Sequence, residues 1–390
     1  MKKKILFVIN SLGCGGAEKS LVSLLSLFDY GKYDVDLLMM DPGGMFMSLL
    51  PKDVNVLPQP DYLRFCREGG FSPKYSIRRL YTSVGLRSKP KCCGKPLHDA
   101  QAYWKYAGGA FDVLPGKYDA AVAWGQGNPT HFIAEKVNAV RKIAVINVNY
   151  EGAGHNKDFD RKYYSRYDII ANVSDDLNRM TKEVFPEFSD RMITLYDINN
   201  ADLINRMAEE KDPFSDVGDE LKIVTAGRMT FQKGYDIAVL GANILKQKGL
   251  RFKWYFVGDG PERHKVEDLI AQHDLADNIV LAGAVSNPYV YMKHADIYVQ
   301  TSRFEGYCLT LCEARILNTP VISTDFDVVH NQLTNEVNGL IVGIDPSSVA
   351  DGIIRLWKDA GLREKIRENI MKEKKGNKEE INKLYKMIEG

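Results

Sequence analysis

The sequence lacks the features that mark several common protein classes. Its 390 residues carry 52 Lys and Arg against 51 Asp and Glu, so the net charge of +1 gives no overall attraction to nucleic acid. No stretch approaches the ~20 apolar residues of a membrane span. The six cysteines and seven histidines show no metal-binding spacing, and this cysteine usage is typical of a reduced cytoplasm. The start, MKKKILFVIN, resembles a signal peptide but has no cleavage site, so we interpret it as a buried strand.

What the sequence does contain is a regular alternation of apolar, β-branched runs with helical patterns. Near-continuous apolar strands separated by helices are typical of parallel sheets covered on both faces, which predicts the α/β class. Thirteen strands would make one sheet unusually wide, so we predict two sheets. The predicted strands are Lys4–Asn10, Tyr33–Met40, Val54–Pro58, Tyr118–Gly125, Lys142–Val148, Tyr167–Ser174, Met192–Tyr196, Leu221–Ala226, Phe252–Gly258, Asn278–Ala282, Ala295–Ser302, Pro320–Thr324 and Gly339–Val342.

The boundary between the two sheets is predicted between Asp197 and Glu220, where the polar run EEKDPFSDVGD (209–219) interrupts the pattern. This divides the chain into an N-terminal domain over residues 1–196 and a C-terminal domain over residues 197–370. Residues 371–390 are highly charged, but their apolar residues recur at helical spacing. We expect a C-terminal helix that packs back on the N-terminal domain, with a disordered tail as the alternative.

Residues 62–97 interrupt the strand–helix rhythm of the first half. The segment holds nine Lys and Arg residues against one acid, Glu68, and five aromatic residues are interleaved with them. Basic residues mixed with aromatic ones suit an anionic membrane surface or a phosphorylated lipid. A solvated insertion loop is an equally good interpretation. Nucleic acid is a third, but the charge is local and no recognition motif accompanies it.

Two glycine-containing segments each follow the first strand of a predicted sheet. Gly13–Glu18 (GCGGAE) precedes a helix, and its glycines would let backbone N–H groups approach a phosphate; a tight turn without a ligand is the alternative. Gly227–Gly234 (GRMTFQKG) places Arg228 and Lys233 beyond a strand, where they could clamp a diphosphate. The simplest interpretation of Gly258–Pro261 (GDGP) is a turn, and Gly258 is also a candidate binding residue.

The most informative segment is Phe304–Ala314 (FEGYCLTLCEA), in which seven residues separate Glu305 from Glu313. It lies between two apolar strands, at the kind of corner where open α/β sheets bind ligands. Glu305 would lie in the loop and Glu313 on the helix that follows. Carboxylates bind sugar hydroxyls, and the amides of Gly306–Leu309 could hold a phosphate. The alternative is that Glu305 only complements the helix dipole and Glu313 is solvated.

Other polar groups give weaker signals. Asp34–Asp36, Asp158–Asp160 and Asp325–Asp327 are D-x-D triplets, which can hold a nucleotide-bound cation but are common by chance. His131 and His155 lie in predicted loops, where either could act as a base, although surface histidines are the commoner outcome.

In this order, these segments resemble the retaining GT-B glycosyltransferases of family four. The resemblance rests on GGAE after the first strand, on GRMTFQKG after the linker, and on the E-x7-E spacing of FEGYCLTLCEA. An A-D-hydrophobic-x-hydrophobic strand (295–299), TPVISTD (319–325) and NGLIVG (338–343) also occupy the corresponding places. It covers nearly the whole chain and is strongest in residues 221–345.

The resemblance implies two Rossmann-like domains with parallel sheets facing a central cleft, the second holding most of the nucleotide sugar. It implies that Arg228 and Lys233 bind the donor diphosphate in place of a cation, so that no metal or other cofactor is expected. Glu305 would face the sugar hydroxyls and Glu313 the ribose. The remaining implied binding residues are Gly15, Gly16, Gly306, Tyr307, Cys308 and Leu309.

Two positions depart from the family pattern. Many relatives carry a histidine near the end of the strand that corresponds to 142–148, where this sequence has Val145 and Asn147. Asparagine cannot act as a general base, but in a front-side retaining mechanism the leaving phosphate itself accepts the acceptor's proton. Asn147 could then hydrogen-bond the sugar. The second departure is Asp197, where relatives often have asparagine.

The resemblance implies a hexosyltransferase that uses a nucleoside-diphosphate sugar, which we expect to be UDP-linked. The acceptor would be a saccharide or a lipid-linked saccharide in cell-surface polysaccharide synthesis. The alternative, favoured by Asn147, is a catalytically silent GT-B protein that binds a nucleotide sugar; a nucleotide-dependent dehydrogenase is a third. We expect a cytoplasmic protein without a nucleic-acid partner, held at the inner face of the membrane if 62–97 binds lipid.

Overall fold

The computed structural model describes residues 2–13, 15–215 and 218–390 and divides the chain into two compact units. The first unit contains the chain up to Gly13, Ala17–Ile198 and Glu379–Gly390, and the second contains Asn199–Lys378 together with Gly15 and Gly16. Cys14 of the predicted glycine turn, and Asp216 and Val217 of the predicted linker, lie outside the described residues.

The first unit is built on a parallel sheet, with a short antiparallel hairpin beside it. Over its described residues the sheet has the order β3-β2-β1-β6-β7-β8-β9, and β4 and β5 form the hairpin. The strands are β1 (Lys3–Ile9), β2 (Tyr33–Met39), β3 (Val54–Val56), β4 (Lys91–Cys92), β5 (Lys95–Pro96), β6 (Tyr118–Trp124), β7 (Ala139–Ile146), β8 (Ile169–Asn172) and β9 (Met192–Thr194). The helices are α1 (Gly16–Leu25), α2 (Asp61–Glu68), α3 (Pro73–Arg87), α4 (Asp99–Ala107), α5 (Asn128–Lys136), α6 (Lys157–Tyr164) and α7 (Asp175–Val184).

The second unit repeats this architecture with a parallel sheet whose described strands follow the order β12-β11-β10-β13-β14-β15. The strands are β10 (Leu221–Ala226), β11 (Phe252–Val257), β12 (Ile279–Gly283), β13 (Ile297–Gln300), β14 (Val321–Thr324) and β15 (Leu340–Val342). The helices are α8 (Ala201–Ala208), α9 (Tyr235–Gln247), α10 (Arg263–Gln272), α11 (Tyr289–His294), α12 (Leu309–Ile316), α13 (Pro346–Lys358) and α14 (Ala360–Lys372). The prediction of two parallel sheets is confirmed.

Each sheet changes direction once, and this change determines where a ligand can bind. In the first unit the strand order reverses between β1 and β6, and in the second it reverses between β10 and β13. Loops that leave the carboxyl ends of two such strands go to opposite faces of the sheet, which leaves a crevice between them. The crevice of the second unit is bordered by the segments that follow Ala226 and Gln300.

Both faces of the second sheet are buried, which explains its continuous apolar strands. Neighbouring residues of a strand point to opposite faces, so Ile223 joins the cluster around Trp254 while Val224 joins the one around Tyr298. All four side chains are almost fully buried. A sheet covered on both sides holds its strand ends rigidly, and it is therefore a firm support for the loops at the crevice.

The basic segment 62–97 is largely helical rather than a loop. It comprises nearly all of α2, then α3, and the β4–β5 hairpin. Within the described residues, no helix is both long and apolar enough to cross a membrane.

The C-terminal residues belong to more than one element, because α14 extends to Lys372 and α15 (Ile381–Glu389) begins only after a further turn. The predicted helix over 371–390 is therefore shorter than expected. Helix α15 lies within the first unit, where the Tyr385 ring stacks on Tyr33 with a centroid distance of 5.1 Å. Its hydroxyl also accepts a hydrogen bond from the Asp29 amide at 2.8 Å.

Candidate functional site

The segments after β10 and β13 bring two of the predicted site residues together in the second unit. After β10 the chain forms a short 3₁₀ turn, Phe231–Lys233, before α9 begins. After β13 it continues through Glu305 to the start of α12. Because β10 and β13 are hydrogen-bonded neighbours, the two segments leave the sheet side by side.

Two glycines allow the loops at this corner to approach each other closely. Gly234 has a φ of 64°, and a Cβ atom there would lie 2.1 Å from the Thr301 carbonyl oxygen. Gly258 has a φ of 151°, and a Cβ atom there would lie 1.9 Å from the Gly227 carbonyl oxygen. No other residue type fits at such distances. Gly258 therefore acts through the packing of two loops, and its role in binding remains a prediction.

Lys233 and Glu305 form an ion pair, with 2.6 Å between Nζ and Oε1. The side chains are 17% and 7% exposed, so both charges lie largely out of water. Burial lowers the pKa of Lys233, but the Glu305 carboxylate outweighs it and holds that pKa above its ordinary value. The site therefore contains a fixed, charged ammonium–carboxylate pair. The sequence predicted a role for each residue but not their contact.

Glu305 accepts further hydrogen bonds at both carboxylate oxygens. Oε1 accepts from Ser302 Oγ at 2.5 Å and from Gln300 Nε2 at 3.3 Å. Oε2 accepts from Gln232 Nε2 at 3.1 Å. Since a carboxylate offers roughly two acceptor positions per oxygen, Oε2 retains capacity for one more donor. The Lys233 ammonium likewise has three N–H donors, and the ion pair uses one of them. The pair can therefore bind a ligand without separating.

Gln300 holds this carboxylate in place, and sequence reasoning missed it. The residue is almost fully buried, and its Oε1 accepts from Tyr298 OH at 2.7 Å and from Thr310 Oγ1 at 3.0 Å. Its Nε2 also donates to Ser302 Oγ at 2.7 Å. A glutamine within an otherwise apolar strand was the available signal, because a buried amide requires such partners.

Glu313 lies on α12 and is almost fully buried. Its Oε1 accepts a hydrogen bond from Tyr289 OH at 3.3 Å, and burial beside this carboxylate raises the pKa of Tyr289. The alternative prediction, that Glu313 is a solvated helix residue, is therefore wrong. Burying a carboxylate is costly without partners, which makes Glu313 a structured part of the corner.

The backbone between the two glutamates turns sharply into α12. Cys308 precedes the first residue of the helix with φ 68° and ψ 67°, and it provides no side-chain cap. The Gln332 side chain donates to the carbonyl oxygens of Tyr307 and Cys308. Cys308 therefore lies just before the helix, while Cys312 lies within it. The four residues Gly306–Leu309 thus lie at the N-terminus of α12, and their binding of a phosphate stays a prediction.

Arg228 lies apart from the ion pair. It follows β10 by two residues and its side chain is exposed, without a hydrogen bond or ion pair among the described residues. It is thus available to a ligand but not positioned by the protein.

Asn147 follows β7 in the first unit, and its side-chain amide is unsatisfied. Its Oδ1 and Nδ2 atoms are buried, and neither has a hydrogen-bond partner within the described part of the chain. The backbone N–H, by contrast, donates to Gln126 Oε1 at 3.1 Å. A buried amide without partners costs about 1–3 kcal/mol, so this side chain suits a ligand that supplies hydroxyl groups.

Gly15 lies just before α1, which begins at Gly16, so both are at a helix N-terminus.

The two candidate histidines are structural rather than exposed. His131 is fully buried, and its Nε2 lies 2.7 Å from Asp160 Oδ1, while Tyr150 OH donates to Asp160 Oδ2 at 2.6 Å. The surface position expected for His131 is therefore wrong. His155 stacks on His98 at 4.2 Å, and burial together with the neighbouring His98 charge lowers the pKa of His155 to about 4.

Two aspartates of the D-x-D triplets, Asp36 and Asp160, accept hydrogen bonds from buried tyrosines. Asp36, for example, accepts from Tyr118 OH at 2.8 Å and from Asn55 Nδ2 at 2.7 Å. Among the described residues, no group of three or more His, Cys, Asp and Glu side chains could hold a metal ion.

A surface depression of about 470 Å³ lies along α7 between Asp175 and Glu183, and none of the predicted site residues lines it.

Residues 207–373 match the family model for glycosyl transferases group 1. This part of the chain, which is less than half of it, is similar to that family. Lys233, Glu305 and Glu313 all lie inside the matched residues, and so does the corner described above. Asn147 lies outside them.

Curated relatives of the chain are glycosyltransferases by name. An uncharacterized glycosyltransferase of Methanocaldococcus jannaschii is 29% identical over 42% of this chain and 41% of its own length. The alpha-D-kanosaminyltransferase of Streptomyces kanamyceticus is 26% identical over 44% of this chain and 45% of its own. The chain thus spans about half the length of these two relatives.

One relative is matched along nearly its whole length. The N-acetylgalactosamine-N,N'-diacetylbacillosaminyl-diphospho-undecaprenol 4-alpha-N-acetylgalactosaminyltransferase of Campylobacter jejuni is 23% identical over 93% of this chain and 92% of its own.

Solved structures extend the likeness to both units. HepE of Anabaena in complex with UDP-glucose has a TM-score of 0.71 at 14% identity, covering 99% of this chain and 98% of that one. A variant of TarM from S. aureus, in complex with fondaparinux, alpha-GlcNAc-glycerol and UDP, has a TM-score of 0.67 at 16% identity and covers 100% of both chains. This likeness confirms the predicted GT-B fold class with its two Rossmann-like sheets.

Proposed function

We propose that the protein is a retaining, metal-independent hexosyltransferase with a UDP-linked donor. The acceptor would be a saccharide or a lipid-linked saccharide in cell-surface polysaccharide synthesis. The observation that carries the proposal is the buried Lys233–Glu305 pair at the strand-order reversal within the residues that match the group 1 family. The UDP-glucose bound by HepE and the undecaprenol-linked substrate in the Campylobacter relative's name support the donor and acceptor classes.

The proposed reaction forms a bond between an acceptor hydroxyl oxygen and the anomeric carbon of the donor sugar. The bond between that carbon and the diphosphate oxygen breaks, and the leaving phosphate takes the proton of the hydroxyl. The Lys233 ammonium would stabilise the negative charge that develops on the departing diphosphate, and the exposed Arg228 would close on it. No protein base is required on this route, which fits Asn147.

Glu305 and Glu313 would bind different parts of the donor. The free capacity of Glu305 Oε2 suits a sugar hydroxyl, and Ser302 and Gln300 keep the carboxylate in one orientation. Glu313 would bind the ribose, and Gly306–Leu309 would present amides to the diphosphate. Gly15 and Gly16, at the N-terminus of α1, would present backbone amides to a phosphate, and Asn147 would hydrogen-bond a saccharide hydroxyl.

Alanine variants of the ion pair test this function. We expect Lys233→Ala and Glu305→Ala each to lower hexose transfer by about a hundredfold or more, since each removes a group that acts on developing charge or the reacting sugar. Lys293→Ala is the matched control, because it breaks another 2.6 Å ion pair of the second unit, with Glu209 at the surface. Full turnover by both site variants would refute the site.

The alternative is a catalytically silent protein that binds a nucleotide sugar, and Asn147 is the observation that favours it. Transfer can be assayed alongside donor hydrolysis with UDP-glucose and a set of saccharide and lipid-linked acceptors. Donor binding without either reaction would favour the silent protein. Detectable transfer, reduced in Asn147→Ala, would favour the enzyme.

We also propose that helix α3 attaches the protein to an anionic membrane surface, at the inner face of the cell membrane. The helix turns its less apolar side inward, with Thr82 buried and Gly85 placed so that a Cβ atom would lie 2.6 Å from the Tyr106 ring. Its outward side is apolar at helical spacing: Ile77, Leu80, Tyr81 and Val84 are 52–70% exposed. An ordinary surface helix buries its apolar side and exposes its polar side, so α3 has the opposite arrangement.

The charge around this apolar stripe fits anionic lipid. No Asp or Glu occurs between Gly69 and His98, a stretch that contains seven Lys and Arg residues. Arg79, Arg87 and Lys89 are exposed and form no ion pair within the described residues. An apolar edge flanked by basic side chains is typical of helices that lie in the membrane interface.

Vesicle sedimentation tests the attachment. Since each basic residue near such a surface contributes about 1 kcal/mol, changing Arg79, Arg87 and Lys89 to Gln should weaken binding to anionic vesicles about a hundredfold. Changing Ile77, Leu80 and Val84 to Ser should weaken it also. A control with Lys52, Lys117 and Lys386 changed to Gln alters the net charge equally and should bind normally. Equal losses in the charge-changed control would show a non-specific charge effect.

A further inference from the structure

Arg303 bridges the two segments that carry the ion pair. It lies two residues before Glu305, and its backbone N–H donates to the Gln232 carbonyl oxygen at 2.8 Å. The neighbouring Thr301 hydroxyl donates to the Lys233 carbonyl oxygen at 3.0 Å. One backbone–backbone hydrogen bond and one bond from a side-chain hydroxyl thus join the two segments at Gln232 and Lys233.

The guanidinium group of Arg303 completes this bridge with three kinds of contact. Nη1 and Nη2 donate to the two carboxylate oxygens of Asp236 at 2.9 and 2.6 Å. Nη1 also donates to the Phe231 carbonyl oxygen at 2.8 Å, and the group lies over the Phe231 ring at 4.2 Å. Such use of the planar fork and of its flat face is specific to arginine, because a lysine ammonium provides neither.

The contact between Arg303 and Asp236 keeps both side chains of this bridge charged. The hydrogen bond to Asp236 raises the pKa of Arg303. Burial alone would raise the pKa of Asp236, but Arg303 outweighs it and lowers that pKa. Phe231 and Asp236 lie two residues before and three residues after Lys233, so the arginine holds both sides of the turn that presents the ammonium.

Among the described residues, the guanidinium of Arg303 contacts neither Lys233 nor Glu305 directly. Its hydrogen bonds go instead to the Phe231 carbonyl oxygen and to Asp236, on either side of the turn that carries Lys233. We infer that Arg303, paired with Asp236, is a positioning residue that keeps Lys233 and Glu305 at the separation needed for sugar transfer. This inference rests on the proposed function and adds a specific determinant to it.

Conservative variants test the inference. Arg303→Lys keeps the positive charge and Asp236→Asn keeps the side-chain shape, but each removes the two-point contact between guanidinium and carboxylate. We expect Arg303→Lys and Asp236→Asn each to lower kcat for hexose transfer by about 10- to 100-fold, because small misplacements of reacting groups are costly. The dissociation constant of UDP-glucose should change much less. The double variant should lose no more than the worse single one, as residues of one network are not additive.

Arg355→Lys is the matched control, because it disrupts another arginine–carboxylate contact of the second unit, at 2.7 Å to Glu336. All rates are divided by the folded fraction, measured by thermal unfolding. Full kcat in Arg303→Lys, with a stability loss like that of the control, would overturn the inference and leave only a structural bridge.

The proposed function fails separately from this inference. If Glu305→Ala abolishes transfer while Arg303→Lys turns over normally, the site stands and the positioning role is refuted. If the wild type transfers no sugar, the proposed function is refuted and the inference with it. If Lys233→Ala and Glu305→Ala are both fully active, the site is refuted and the inference falls with the site.

Discussion

At the scale of single residues, the site depends on buried polar groups that hydrogen-bond to one another. Gln300 would be out of place in an ordinary buried strand, but it joins Tyr298 and Thr310 to the carboxylate of Glu305. A buried polar network stabilises the folded protein only when each donor and acceptor has a hydrogen-bond partner. Glu305 accepts hydrogen bonds from four side chains. The orientation of this glutamate is therefore set by the protein before a ligand arrives.

Asp197 is a buried acid that makes stability depend on pH. Burial raises its pKa to about 7, opposed only by a hydrogen bond with Ser20. Between the pKa of the unfolded chain, near 4, and pH 7, the native state therefore holds more protons than the unfolded state. Stability should fall by up to about 1.4 kcal/mol per pH unit across this interval and level off above it.

Replacing Asp197 with asparagine should remove this loss of stability at rising pH. We expect Asp197→Asn to gain stability relative to the wild type as the pH rises from 4 to 8, because asparagine carries no charge to bury. Urea unfolding at a series of pH values measures the difference. Asp202→Asn, which removes an exposed carboxyl group nearby, is the control. Parallel pH curves for wild type and Asp197→Asn would contradict the account.

At the scale of elements, two loops and the start of one helix form the corner. Gly234 connects the turn that carries Lys233 to α9, and its closeness to the Thr301 carbonyl oxygen brings the Glu305 segment alongside. The distance between the charged groups therefore depends on a backbone contact rather than on side chains alone.

An alanine at Gly234 should force the two segments apart. We expect Gly234→Ala to destabilise the protein by at least ~2 kcal/mol, since a left-handed backbone and a collision with backbone atoms act together. Gly249→Ala isolates the first effect, because Gly249 has a φ of 72° with no atom within 4 Å of an added Cβ. Thermal unfolding should show the larger loss for Gly234→Ala. Equal losses would mean that the close approach is not needed.

The elements differ in how far the sequence could predict them. Strand periodicity located the strands of both sheets and the corner with Glu305, because buried parallel strands leave a clear apolar pattern. The ion pair of Lys233 was not predictable, since Lys233 and Glu305 are 72 positions apart in the sequence and only the packing of β10 beside β13 brings them together. The buried state of His131 was missed because its partner Asp160 comes from another element.

At the scale of the whole molecule, the chain forms two similar parallel sheets, but the two units carry different candidate functional features. The second unit carries the group 1 match and the fully connected charged corner. The first unit offers an unsatisfied amide at Asn147 and an outward-facing apolar stripe on α3. The chain also returns to the first unit at its end, where α15 covers Phe28 and Tyr33 through Tyr385. These features favour donor binding in the second unit and acceptor and membrane contacts in the first.

The central claim is that the Lys233–Glu305 corner binds a nucleotide sugar, and a thermal-shift panel of nucleotide sugars tests it most directly. We expect a UDP-sugar to raise the melting temperature of the wild type and of Lys293→Ala, because a ligand that binds only the folded state stabilises it. The same sugar should leave Lys233→Ala and Glu305→Ala unshifted. An equal shift in all four proteins would contradict the account.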